Sequence, residues 1–129
     1  MVLIFNGKTT TSDLYLLLNR MNIKNSIVIS KDKLKETLKN KNIKNIIINL
    51  DSIGNGTHWC ALNTDKKLYF DSYAQPPPLA VPNNYKLSSK EKQLQSLEAS
   101  DCGELCCLWL HYINYNTNKN FYDMFKDVY

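Results

Sequence analysis

Arginine is almost missing from this chain. Arg20 is the only one among 129 residues, against fifteen lysines and a net charge of +4. Specific reading of DNA bases leans on the bidentate arginine fork, so that function class is disfavoured. Long apolar runs are missing too. The longest, Leu105 to Leu110, covers six residues, far short of the roughly 20 needed to span a bilayer. Met1-Val2-Leu3-Ile4-Phe5 runs straight into Asn6-Gly7-Lys8 without a basic leader, so it reads as a first strand and not as a signal peptide. Cysteines are few and badly placed for a disulfide framework. Three of the four, Cys102, Cys106 and Cys107, fall on one expected helix and cannot staple distant segments. A reducing compartment fits best. No internal repeat and no interdomain linker is visible, so residues 1–129 are expected to form one domain.

The stretch Ser100-Asp101-Cys102-Gly103-Glu104 followed by Leu105-Cys106-Cys107-Leu108-Trp109-Leu110-His111 organises the rest. Asp101 and Glu104 have the spacing of a capping box, with Cys102 at the first helical position. The helix behind them is apolar nearly all round and is expected at the domain centre. A thiol at its leading end faces unpaired backbone N–H groups and the positive end of the helix dipole, which favours thiolate.

Earlier segments are simpler. Thr9 to Ser12 are cap-type residues before a first helix carrying Leu14, Leu16, Leu17, Leu18 and Met21. Ile23 and Ile27-Val28-Ile29 read as short extended pieces. Ser30 can cap a second, peripheral helix from Lys31 to about Lys41, with Leu34 and Leu38 as its thin apolar side. Asn45 to Leu50 is a β-branched run expected as a buried central strand. Asp51 to Thr57 is a glycine-containing loop. Lys86 to Leu97 fits either a short helix or extended chain. Phe121, Met124 and Phe125 mark a short terminal helix. Lys31, Lys33, Lys35, Lys39, Lys41 and Lys44, against Asp32 and Glu36, account for the positive charge. They form either a solvated face or a patch for non-specific contact with DNA.

A hairpin is expected from His58 to Leu62, through Asn63-Thr64-Asp65-Lys66, to Lys67–Tyr73. Symmetry about the Thr64–Asp65 bond sets Leu62 against Lys67, Cys60 against Tyr69 and His58 against Asp71. Directly opposed residues have Cβ atoms roughly 4.5–5.5 Å apart, so His58 and Asp71 are expected to meet. The carboxylate then fixes the ring tautomer through one nitrogen and leaves the other as a base. Alone, each residue has a plainer reading: a structural His beside a Trp, a turn-forming Asp, a core Cys. Together they are what nucleophilic acyl transfer needs. A metal site is the weaker chemical alternative. Cys102/Cys106 and Cys107/His111 are helical i, i+4 pairs pointing about 140° apart, and cannot close a tetrahedron without Cys60 or His58. Cys106 and Cys107 read as small core residues, and His111 as an ordinary histidine near the helix end.

Gly56-Thr57-His58-Trp59, Leu68-Tyr69-Phe70-Asp71-Ser72-Tyr73 running into Pro76-Pro77-Pro78, then Gln95 and Ser100-Asp101-Cys102-Gly103, resemble the adenovirus-type maturation proteases. They are most similar to the branch found in virophages and polinton-like elements, in the clan that includes the ubiquitin-like-protein-specific proteases. The resemblance spans about residues 24–112. It implies an α+β, papain-like fold in which a buried helix packs on a small mixed or antiparallel sheet. It implies Cys102 as nucleophile, His58 as base, Asp71 as the acid that orients it, Gln95 as oxyanion donor with the Cys102 N–H, and Trp59 packed beside the histidine on the substrate side. Adenovirus enzymes carry a glutamate where Asp71 stands. The implied substrates are viral capsid and core precursors cut near glycine, in the virion or the host cytoplasm, or else ubiquitin-like tails. No cofactor is required, although adenovirus relatives are activated by DNA and by a disulfide-joined peptide. No cysteine here matches the one that holds that peptide.

Overall fold

In the computed structural model, residues 10–50, 58–72, 75–88 and 102–115 are described. Helix α1, Thr11–Arg20, begins at a capping box. The Thr10 Oγ1 accepts from the Asp13 N–H at 3.2 Å, and the Thr10 N–H donates to Asp13 Oδ2 at 2.9 Å. Leu14, Leu17 and Leu18 turn one face into the core. The helix stops at Asn22, which takes a left-handed φ of 57°, and the Ile23 N–H reaches back to the Leu18 carbonyl at 3.0 Å. That closing bond satisfies a carbonyl the helix end would otherwise leave open.

Five strands follow in one mixed sheet, ordered β1 (Ser26–Ser30), β2 (Asn45–Asn49), β3 (Trp59–Asn63), β4 (Leu68–Phe70) and β5 (Lys86–Leu87). β1 and β2 are parallel, joined through a 3₁₀ turn, Lys31–Lys33, and a one-turn helix α2, Leu34–Thr37. β2 and β3, and β3 and β4, are antiparallel, while β4 and β5 are parallel. The chain is thus α+β with a mixed sheet.

The isoleucine run in β2 is continuous because both faces of the sheet are covered. Ile47 joins Val28, Ala61 and Phe70 under α1 and the long helix α3, Cys102–Tyr115. Ile46 and Ile48 join Leu62 and Tyr69 on the other face, beneath Leu34, Val81 and Tyr85. α3 packs chiefly on β3 and is buried over most of its surface, as its composition requires. Trp109 is fully buried and stacks on Phe70 at 5.4 Å between ring centroids, while its indole N–H donates to Ser88 Oγ at 3.1 Å. Truncating such a ring to alanine costs about 3–5 kcal/mol.

Two expectations are corrected, and one left open is resolved in part. The hairpin turn is Thr64–Lys67, one residue later than the sequence suggested, so the register moves by two: Leu62 pairs with Tyr69 and Asn63 with Leu68. Asn63 is the cause. It stays in the ladder, donates through Nδ2 to Asn45 Oδ1 at 3.1 Å, and accepts the Lys66 N–H on Oδ1 at 2.9 Å. Lys67 closes the turn with a left-handed φ of 52°. The second helix shrinks to one turn after its 3₁₀ start. Asn40 Oδ1 accepts the Asn42 N–H at 3.0 Å, a local bond that competes with helix continuation. Lys86 and Leu87 resolve as strand β5. The expected first strand, the 51–57 loop and the terminal helix lie outside the described residues.

Candidate active site

His58 immediately precedes β3, and Asp71 immediately follows β4. Continuing the observed register by one step sets Asp71 opposite Cys60, with His58 one diagonal away. The two-residue shift keeps every side chain on its expected face, because strand side chains alternate with period two. Diagonal Cβ atoms are roughly 7–8 Å apart, within reach of an imidazole. The pair forms: His58 Nε2 lies 2.8 Å from Asp71 Oδ1. Asp71 is 0% exposed. A carboxylate so buried needs a partner, and the histidine supplies one.

Cys102 is the first residue of α3 and is 3% exposed. Its Sγ accepts the Trp59 backbone N–H at 3.4 Å. The thiol also lies beside the His58 ring. The elements converge for a simple reason: α3 lies along β3, so its leading end meets the start of that strand. His58, Asp71 and Cys102 are therefore brought together.

Burial opposes a charged His58 ring, but hydrogen bonds with Asp71, Cys102 and Cys60 outweigh it and push the pKa up from 6.5 to about 12. The ring is therefore an imidazolium at neutral pH, facing a buried carboxylate. Burial pushes Cys60 up to about 11 and Cys107 up to about 12, and Cys106 well above the ordinary value. Buried neutral thiols of this kind are poor nucleophiles. His111 sits away from this cluster and tilts against Tyr115 at 4.9 Å.

The remaining expected residues divide. Trp59 is 4% exposed and its side chain joins the core cluster beneath α3, which leaves its ring little surface for a substrate. Strand alternation turns Trp59 away from the face that carries His58. Gln95 and Asp101 lie outside the described residues. Lys33, Lys35, Lys39 and Lys41 are exposed, whereas Lys44 is half-exposed and pairs with Asp65 at 3.1 Å.

One member of the cluster went unassigned in the sequence. Cys60, His58 and Asp71 place their ligand-type atoms within 4.8 Å of one another. The signal was the His-x-Cys spacing on one strand, which puts both side chains on the same face. Without the true register, its opposite number could not be named.

No family model, curated protein or solved structure matches the chain.

Proposed function

We propose that the chain is a papain-like cysteine endopeptidase of the adenovirus-maturation type that processes viral structural precursors at glycine-containing sites. The observation that carries this reading is the convergence of three side chains: the His58–Asp71 pair at 2.8 Å, against the thiol at the start of α3.

In this reading Cys102 Sγ attacks the scissile carbonyl carbon, and its proton resides on His58. Asp71 holds Nε2, which leaves Nδ1 to serve the sulfur. His58 then protonates the leaving amine as the C–N bond breaks, giving a thioester on Cys102. Water deprotonated by His58 attacks that thioester and releases the acid and the thiol. The Cys102 N–H, at the positive end of α3, stabilises the oxyanion of each tetrahedral state. The resemblance assigns Gln95 as the second donor. No step requires a metal or an organic cofactor.

Cys102→Ala and His58→Ala are each expected to abolish cleavage of a capsid precursor or a glycine-containing peptide, with the fold retained by circular dichroism. Turnover at the unsubstituted rate in either variant overturns the proposal.

Exposed Lys33, Lys35, Lys39 and Lys41 support a compatible second role, holding the protein on a polyanion such as a genome. Such binding is expected to weaken steeply with salt, by counterion release. Binding indifferent to salt, or none at low ionic strength, removes it.

A further inference from the structure

We propose that His58, Cys60 and Asp71 form a zinc-binding site, and that zinc bound there turns the enzyme off by occupying His58. The regulatory half rests on the peptidase reading; the binding half does not.

The donor set is the first argument. A thiolate, an imidazole and a carboxylate are the three protein ligand types zinc takes, and three protein ligands plus an open position is a common zinc arrangement. Placement is the second. His58 and Cys60 alternate along one strand, so both project from one sheet face, and the register sets Asp71 across from Cys60. Their ligand atoms all lie within 4.8 Å of one another. Metal–ligand bonds of roughly 2.0–2.3 Å in a tetrahedron require such atoms to sit about 3.3–3.8 Å apart, a small adjustment on rigid strands. Cys60 and Asp71 are both fully buried, and the His58 side chain keeps 20% exposure, which gives the ion one route in.

A third observation is independent of the donors. Tyr69 is fully buried, its hydroxyl lies against the Cys60 thiol, and among the described residues no nitrogen or oxygen partner reaches it. A buried hydroxyl without a partner costs about 1–3 kcal/mol. A water in the fourth zinc position would give it one. A purely space-filling Cys60 leaves that hydroxyl unexplained.

On binding, Cys60 Sγ–H and the His58 ring N–H lose their protons to solvent, and the zinc–sulfur, zinc–nitrogen and zinc–oxygen bonds form with no change of oxidation state. The His58–Asp71 hydrogen bond opens. With Nε2 on the metal, the neutral ring carries its one hydrogen on Nδ1 and has no lone pair left to take a proton from Cys102 or from water.

The test is titration of the full chain with zinc against a chromophoric chelator, with cobalt as a spectroscopic substitute. One zinc per chain is expected, and a thiolate-to-cobalt charge-transfer band. Cys60→Ala is expected to weaken zinc by more than the roughly 10–100-fold typical of losing an outer partner. Cys102→Ala is expected to keep both the zinc affinity and the cobalt band. That second variant carries the test if Cys60→Ala does not fold. Absence of binding overturns the proposal. So does binding that survives Cys60→Ala but is lost in Cys102→Ala, which would place the metal on the nucleophile. Cleavage is then assayed with chelator and with zinc. Activity unaffected by zinc sinks the regulatory half and leaves the peptidase reading standing. Zinc binding in a chain inactive under chelator sinks the peptidase reading and leaves the site.

Discussion

Strand β3 has a polar cluster at each end, and the two are built from opposite materials. At its start lie His58, Cys60 and Asp71, with Cys102 alongside: ionisable groups held out of water. Near its end lie Asn45, Asn63 and Asn114, neutral amides tied to one another. Asn45 Oδ1 accepts from Asn63 Nδ2 at 3.1 Å and from Asn114 Nδ2 at 2.8 Å, and Asn45 Nδ2 donates to the Lys24 carbonyl at 2.9 Å. The five residue steps from His58 to Asn63 span roughly 17 Å. Neutral amides lose little on burial once cross-bonded, so the far cluster fastens α3 and the hairpin to β2. Buried ionisable groups cost more, and at the near end the protein tolerates that cost where the proposed chemistry needs it.

The sharpest way to separate the clusters is by activity. Cys102→Ala and His58→Ala are expected to lower kcat/KM on a glycine-containing substrate by roughly 10⁴–10⁶-fold, Cys102→Ala with little change in Tm and His58→Ala with a lower Tm, because it leaves Asp71 buried without its ring partner. Asp71→Asn is expected to lower it by about 10⁴-fold, since the ring loses its orienting charge. A drop in activity at Cys102→Ala matched by a drop in Tm would instead make the near cluster structural.

The next prediction uses pH. The folded-state pKa of His58 is raised from 6.5 to about 12. The pair's contribution to stability is therefore fully present below 6.5 and is lost as pH rises through the interval to about 12. The stability gap between the protein and His58→Ala is expected to narrow across that window. Nitrogen-15 chemical shifts are expected to report an imidazolium at position 58 at pH 8; a neutral ring there contradicts the account.

The smallest effect belongs to the far cluster. Asn114→Ala is expected to destabilise by about 0.5–1.5 kcal/mol, because it removes one of the two hydrogen bonds that Asn45 Oδ1 accepts, while kcat per folded molecule stays unchanged. A larger loss of kcat than of stability would erase the distinction between the two ends.

The same contrast explains what could be read beforehand. The buried helix α3, the central strand β2, the capped helix α1 and the meeting of His58 with Asp71 follow from local pattern: apolar periodicity, a β-branched run, a capping box, period-two alternation. The register did not, because it turns on Asn63, whose side chain bonds both Asn45 on the neighbouring strand and Lys66 in the turn. An asparagine at that point reads locally as the start of a loop. The pairing survived the error because a shift of two preserves the face. What the error hid was Cys60, whose position opposite Asp71 depends on register alone. α2 fell short through a side-chain bond at Asn40, and β5 is two residues long and exists only through β4.

The central claim is that Cys102 and His58 act as one unit. Timed alkylation with iodoacetamide at neutral pH, followed by peptide mapping, tests it most directly. The account predicts that Cys102 is modified well before Cys60, Cys106 and Cys107, and that His58→Ala slows its modification sharply. Equal labelling of the four thiols in the folded protein, or a Cys102 rate indifferent to the loss of His58, would contradict it.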